Sequence, residues 1–239
     1  MRSLLRELAP PLRLDTGRQR PMVRGVGLSL LGVVAQGGVR FATNLLIGRL
    51  GGPGALGLTS SAIALAQVTA LLGPTTAGAA ASKFVARTEG QGDVAGAVGI
   101  ARHVSRITVV AAVVGGLVAA TLWQGDGHSP WWQRAVVLAL VLGYSGYALA
   151  RGIQFGAGRM VRGTLWDLVT AGVGVAGVAL VMVSDLHPML ALVPVALSLI
   201  LYSVSGWVRG VGRAPEREVS REIRPVMATV VSRVVPPAP

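Results

Sequence analysis

The chain has 239 residues, of which 52% are hydrophobic and only 13% are charged. Soluble domains carry about 25% charged residues, so this composition excludes an ordinary soluble protein and indicates an integral membrane protein. Cysteine is absent, which excludes disulfides and thiolate metal sites. The three histidines fall near predicted loops without ligand spacing, so we expect neither a metal nor another cofactor.

The net charge of +12 could in principle indicate nucleic-acid binding. The arginines, however, flank hydrophobic segments instead of forming one basic face. An excess of arginine with this distribution is first a signal of membrane topology. We therefore expect the lipid bilayer, and no nucleic acid, as the partner of these charges.

Residues 1–24 form a basic leader ahead of the first predicted span, residues 26–47. This apolar run is long enough to cross a bilayer, which takes about 20 residues, and too long for a cleaved signal peptide. Helical spacing places several polar residues on one face: Gln36, Arg40, Thr43 and Asn44. An arginine at mid-membrane costs about 2.5–3.5 kcal/mol, so we expect this face to line a hydrated interior. The alternative is that Arg40 snorkels to the interface about 10 Å away.

The second predicted span covers residues 56–81 and follows a Gly/Pro turn at 49–53, so the first two spans should form a hairpin. Gly73 and Pro74 should kink this span and free a backbone carbonyl. Gln67 lies on its polar face and is a candidate for the substrate path. The alternative for Gln67 is a hydrogen bond that joins two helices.

The hydrophilic segment 82–105 is predicted as a loop followed by an amphipathic helix lying along the membrane. Four further spans follow at residues 106–123, 135–154, 165–183 and 189–208. The sequence thus predicts an all-α, polytopic membrane protein with a six-helix transmembrane lobe over residues 25–208. A basic tail occupies residues 209–239.

The orientation follows from the distribution of basic residues. With six spans, 19 of the 22 Lys and Arg residues fall on one side, two fall on the other, and Arg40 lies within the membrane. By the positive-inside rule both termini lie in the cytoplasm, and the protein is a multi-pass protein of the cytoplasmic membrane.

The motif GRLGGP at residues 48–53, followed by Gly57 and Leu58, resembles the first helical hairpin of polysaccharide (O-antigen-type) flippases. These flippases belong to the multidrug/oligosaccharidyl-lipid/polysaccharide exporter superfamily. The basic segment 83–87 and the Gly-rich turn ahead of Asp167 are also similar to that family.

The resemblance implies a flippase for lipid-linked oligosaccharides that works by alternating access and is driven by an ion gradient or membrane potential. In that family two lobes face each other across a cationic cavity. Arg40 would then meet the phosphate or pyrophosphate of a polyprenyl-linked oligosaccharide. The resemblance implies hydrogen bonds to sugar or phosphate from Gln36, Asn44 and Gln67.

The relatives have about twice as many spans as this chain. The chain is therefore interpreted as a truncated flippase or as a half-unit that pairs with itself, in a homodimer, or with a second six-helix half. Truncation is favoured because no second lobe is visible, and the tail resembles the approach to a seventh helix that is not completed. Asp167 is expected to form a salt bridge near Arg162, or to act as a helix-start charge, in preference to a proton relay.

An enzyme is not expected, because Ser, His and Asp residues do not gather at a useful depth on one side of the predicted spans. The second functional hypothesis is an integral membrane scaffold or accessory protein of cell-surface polysaccharide assembly that does not itself transport. Replacement of Arg40 by Leu should impair a flippase and leave a scaffold unaffected.

Overall fold

The computed structural model of the protein describes residues 16–124, 130–184 and 186–207. Most of the predicted leader and all of the predicted tail lie outside these residues. The described elements are α1 (Thr16–Leu71), α2 (Pro74–Gly90), α3 (Val94–Leu122), α4 (Trp131–Gly156), α5 (Met160–Val183), a 3-10 helix (Pro188–Ala191) and α6 (Leu192–Trp207). The described residues contain no strand, which confirms the all-α prediction.

Helix α1 consists of two arms that meet at Gly52. This residue has φ 78° and ψ 179°, a conformation that is essentially restricted to glycine. Arg40 on the first arm (residues 16–51) and Gln67 on the second arm (residues 53–71) line the same cavity. A continuous helix would hold these two residues about 40 Å apart. The chain therefore reverses at Gly52, as the Gly/Pro turn predicts.

The second predicted span is interrupted where the sequence places Gly73 and Pro74. Helix α1 ends at Leu71 and α2 begins at Pro74. Pro74 has no N–H to donate to the Ala70 carbonyl one turn earlier. The Thr75 hydroxyl donates to that carbonyl instead, at 3.0 Å. The predicted break is confirmed, but the prediction of a free carbonyl is wrong at this position.

The predicted loop within residues 82–105 is also wrong. Helix α2 continues to Gly90, and after a short turn Asp93 caps α3 by accepting a hydrogen bond from the Gly96 amide at 2.8 Å. The predicted amphipathic helix is the first part of α3 and is continuous with the third span. Its apolar face packs against protein, because Ile100 and Val104 are buried in a cluster with α2 and α4.

Five helices among the described residues are long and apolar enough to cross a membrane. The first of these regions, Leu30–Leu71, has 42 residues and contains the second arm of α1 with the greater part of the first. The first predicted span thus lies in the first arm of α1, the second is divided between the second arm and α2, and the helix count does not confirm a six-helix bundle. Together with the composition, these helices identify a multi-pass membrane protein.

Helix α4 is the central helix of the fold and contacts every other described α-helix. Its residues Val137, Leu140 and Val141 are fully buried in the main core. Near its end, small residues let α2 approach closely: a Cβ atom on Gly152 would overlap the Gly78 carbonyl oxygen, and one on Gly156 would lie 2.6 Å from that of Ser82. This contact between glycine-rich helix faces is typical of membrane helix pairs.

Candidate functional site

A cavity of about 400 Å³ lies between the two arms of α1, α2 and α4. Its polar lining comes from all three helices: Arg40, Gln67, Thr75, Ser82, Tyr144, Tyr147 and Arg151. No Asp or Glu among the described residues lines it. Arg40 and Arg151 thus contribute two guanidinium groups to a wall in which no described carboxylate takes part, and guanidinium groups are chemically suited to bind anions.

Arg40 and Gln67, both predicted for the substrate path, meet in this cavity through Tyr144. The guanidinium carbon of Arg40 lies 5.6 Å from the centroid of the Tyr144 ring, within the range of a cation–π contact. The Gln67 side-chain amide donates to the Tyr144 hydroxyl at 3.3 Å. Gln67 thus joins two helices, as its alternative interpretation states, and also borders the cavity.

Gln36 and Thr43 border a second, much smaller cavity of about 20 Å³ that Arg40 also lines. Thr43 is 2% exposed, and its hydroxyl has no hydrogen-bond partner among the described residues. Asn44 is exposed and lines neither cavity, because it lies about 100° around the helix from Thr43. Four of the five predicted residues are therefore near a cavity, and their role in a substrate path stays a prediction.

Sequence reasoning missed the cavity residues of α4. Tyr144, Tyr147 and Arg151 follow at intervals of three and four residues, so they lie on one face of the helix. This spacing was the signal that could have identified them.

Arg151 forms an ion pair with Asp167 of α5, with 3.3 Å between Nε and Oδ2. Asp167 has no exposed surface, and its other oxygen accepts a hydrogen bond from the Tyr147 hydroxyl at 2.9 Å. The Gln36 side chain lies near the same carboxyl group. Side chains from α4 and from the first arm of α1 thus surround one buried carboxylate of α5.

The prediction of a salt bridge at Asp167 is correct in kind but wrong in its partner. Arg162 donates instead to the Ser205 carbonyl oxygen of α6 at 3.2 Å. Residues five apart on a helix lie about 140° apart around it, so Arg162 and Asp167 face different neighbours.

Gly32 of the first arm packs directly against the ion pair. A Cβ atom on Gly32 would lie 2.5 Å from Asp167 Oδ2 and 2.8 Å from Arg151 Nη2. A glycine is therefore required here for the first arm to approach the pair this closely.

No protein-family model matches the chain, and no curated protein matches it in sequence. It is similar to a solved structure of a MOP superfamily transporter from Pyrococcus furiosus Vc1 (DSM3638), whose binding pocket of reversed polarity is taken to suggest a different function. The TM-score is 0.62 at 20% sequence identity, over 90% of this chain and 52% of that transporter. The chain has a MOP-transporter fold. It spans about half the length of that transporter, and the similarity supports the superfamily fold without supporting O-antigen flippases in particular.

Proposed function

We propose that the chain is a membrane transport protein of the flippase type, which moves lipid-linked oligosaccharide or polysaccharide precursors across the cytoplasmic membrane. The observation that carries this proposal is the cavity between membrane-spanning helices that Arg40 and Arg151 line, in whose wall the described part of the chain places no acidic residue. The MOP-transporter fold supports transport as the general class of function.

The chemistry of the cavity favours a phosphate-bearing substrate. Guanidinium groups bind phosphate oxygens through charge-assisted, often bidentate hydrogen bonds. Amide and hydroxyl groups beside them, from Gln67, Thr75 and Ser82, can bind the hydroxyl groups of a sugar. A polyprenyl diphosphate linked to an oligosaccharide combines both features.

We further propose that a second half with the same fold completes the transport path, because the chain spans about half of the transporter it resembles. This half is a second copy of the chain or another membrane protein. Arg40 is exposed on the first arm, and an arginine facing lipid at mid-membrane is unfavourable. A second half that closes the cavity would remove Arg40 from the lipid.

The test is a flipping assay on the native complex in vesicles, with a fluorescent polyprenyl-diphosphate-linked sugar and an external quencher. Arg40→Gln should reduce the rate at least about tenfold, the effect of losing one charged hydrogen bond of about 1.5–3 kcal/mol. Arg49→Gln is the matched control, because Arg49 is exposed on the same arm and lines neither cavity.

Equal rates for the two variants would refute the role of Arg40. A native complex that moves none of the lipid would refute the transport proposal and favour the scaffold hypothesis.

A further inference from the structure

The two cavity arginines differ in their immediate surroundings. Arg151 is paired with Asp167 and also lies over the Phe155 ring, 4.6 Å from its centroid. Arg40 forms no ion pair with any described carboxylate, and its guanidinium group lies over the Tyr144 ring. Within the described residues, an anion that enters the cavity therefore meets one arginine without a carboxylate partner and one whose charge is balanced by Asp167.

Asp167 is held in place more firmly than Arg151. The carboxylate has no exposed surface and accepts a hydrogen bond from the Tyr147 hydroxyl, while Gly32 packs against the oxygen that faces Arg151. The side chain of Arg151 is 20% exposed and borders the cavity. The carboxylate is thus fixed, and the guanidinium group stands between it and the cavity.

We propose that Asp167 is a built-in counter-ion that competes with the anionic substrate for Arg151. The carboxylate lowers the positive potential that Arg151 presents to the cavity, so it weakens substrate binding and speeds substrate release. Asp167 acts through Arg151 and is a positioning residue that does not touch the substrate. This inference rests on the proposed function, because it takes the substrate to be an anion in this cavity.

A transporter has a physical reason for such a counter-ion. Two unopposed arginines in a cavity of low dielectric constant would hold a diphosphate tightly, and a tightly held substrate leaves slowly. With a fixed carboxylate behind one arginine, the cavity still presents a cation that recognises the substrate, but its affinity for the substrate is lower. The ion pair also makes Arg151 tolerable within the membrane when the cavity is empty.

The test measures binding of a fluorescent short-chain prenyl diphosphate to the full chain in nanodiscs. Asp167→Asn removes the charge and keeps the size of the side chain. An anion about 7 Å from Asp167 at an effective dielectric constant of 20 should bind roughly ten- to fiftyfold more tightly, with slower dissociation. Arg151→Gln should weaken binding, and Asp167→Asn should raise the affinity less in that background than in the wild type, because no Arg151 is left to be released from the carboxylate.

A second variant, Gly32→Ala, keeps both charges and tests the same proposal if Asp167→Asn fails to fold. Gly32→Ala places a methyl group against Asp167 Oδ2 and Arg151 Nη2, so it should loosen the pair and tighten probe binding by a smaller factor. Asp167→Glu retains the charge and should restore an affinity near that of the wild type.

The outcomes separate the two proposals. Tighter binding by Asp167→Asn that depends on Arg151 supports the counter-ion, because a merely structural role would leave affinity unchanged or lower it. Wild-type binding that requires Arg40, without a gain in Asp167→Asn or Gly32→Ala, refutes the counter-ion alone. Absence of specific binding by the wild type and all variants refutes the anionic substrate, and the counter-ion with it.

Discussion

Replacement of Asp167 by Ala should be among the most destabilising single substitutions in the chain. It leaves the Arg151 guanidinium without its carboxylate partner and the Tyr147 hydroxyl without its acceptor. Breaking a buried ion pair by removing one partner costs about 3–5 kcal/mol. Because Arg151 is 20% exposed and can turn toward the cavity, we expect the lower end of this range, about 3 kcal/mol.

The assay is denaturation of the purified protein in mixed micelles, followed by circular dichroism. Asp93→Ala is the matched control, because Asp93 is an exposed N-cap whose loss should cost about 1 kcal/mol. The double variant Asp167→Leu/Arg151→Met removes both charges and keeps the apolar volume. It should recover most of the loss, since replacing a whole buried pair is often neutral.

Two results would refute this reasoning. A loss for Asp167→Ala no larger than that for Asp93→Ala would mean that the ion pair contributes nothing beyond a surface contact. A double variant as unstable as Asp167→Ala would mean that the carboxylate stabilises the fold through groups other than Arg151.

Two further predictions concern glycines. Gly152→Ala should destabilise the fold by about 1–3 kcal/mol, because the new methyl group overlaps the α2 backbone. Its control is Gly172→Ala, in open space on α5, whose free energy of unfolding in the same denaturation assay should be within about 0.5 kcal/mol of that of the wild type. Gly52→Ala should lower the free energy of unfolding by about 1–3 kcal/mol, because alanine is strained at the positive φ of this position. Gly54 has open space around it and an ordinary helical backbone, so Gly54→Ala should be neutral or slightly stabilising. Equal thermal midpoints within either pair would contradict the corresponding prediction.

The sequence predicts those parts of the fold that depend on local patterns. Apolar runs long enough to span a bilayer predict the helices, and the Gly/Pro pairs predict the reversal at Gly52 and the break before Pro74. Arg40, on the polar face of the first span, lines a cavity in the structure. In each case the property belongs to residues close together in the chain.

The predictions that are wrong concern contacts between segments that are distant in the sequence. Residues 94–105 have the composition of a surface helix, yet Ile100 and Val104 bury against α2 and α4, which makes the segment part of α3. The pairing of Asp167 with Arg151 depends on how α4 and α5 rotate against each other, which no local spacing reveals. The nearer arginine in the sequence, Arg162, was therefore the wrong partner.

The placement of the cavity follows from the two adjacent faces of α4. Gly152 and Gly156 lie on the face that packs closely against α2, and Tyr144, Tyr147 and Arg151 lie on the face beside it. Close packing on the first face holds α2 against α4 without large side chains, and the larger side chains on the second face line the cavity. An arginine on a spanning helix needs a polar environment, and this geometry supplies one from Asp167 behind it and the cavity in front. The same short stretch of α4 thus packs against α2 through its glycines and places the Arg151 guanidinium at the cavity wall.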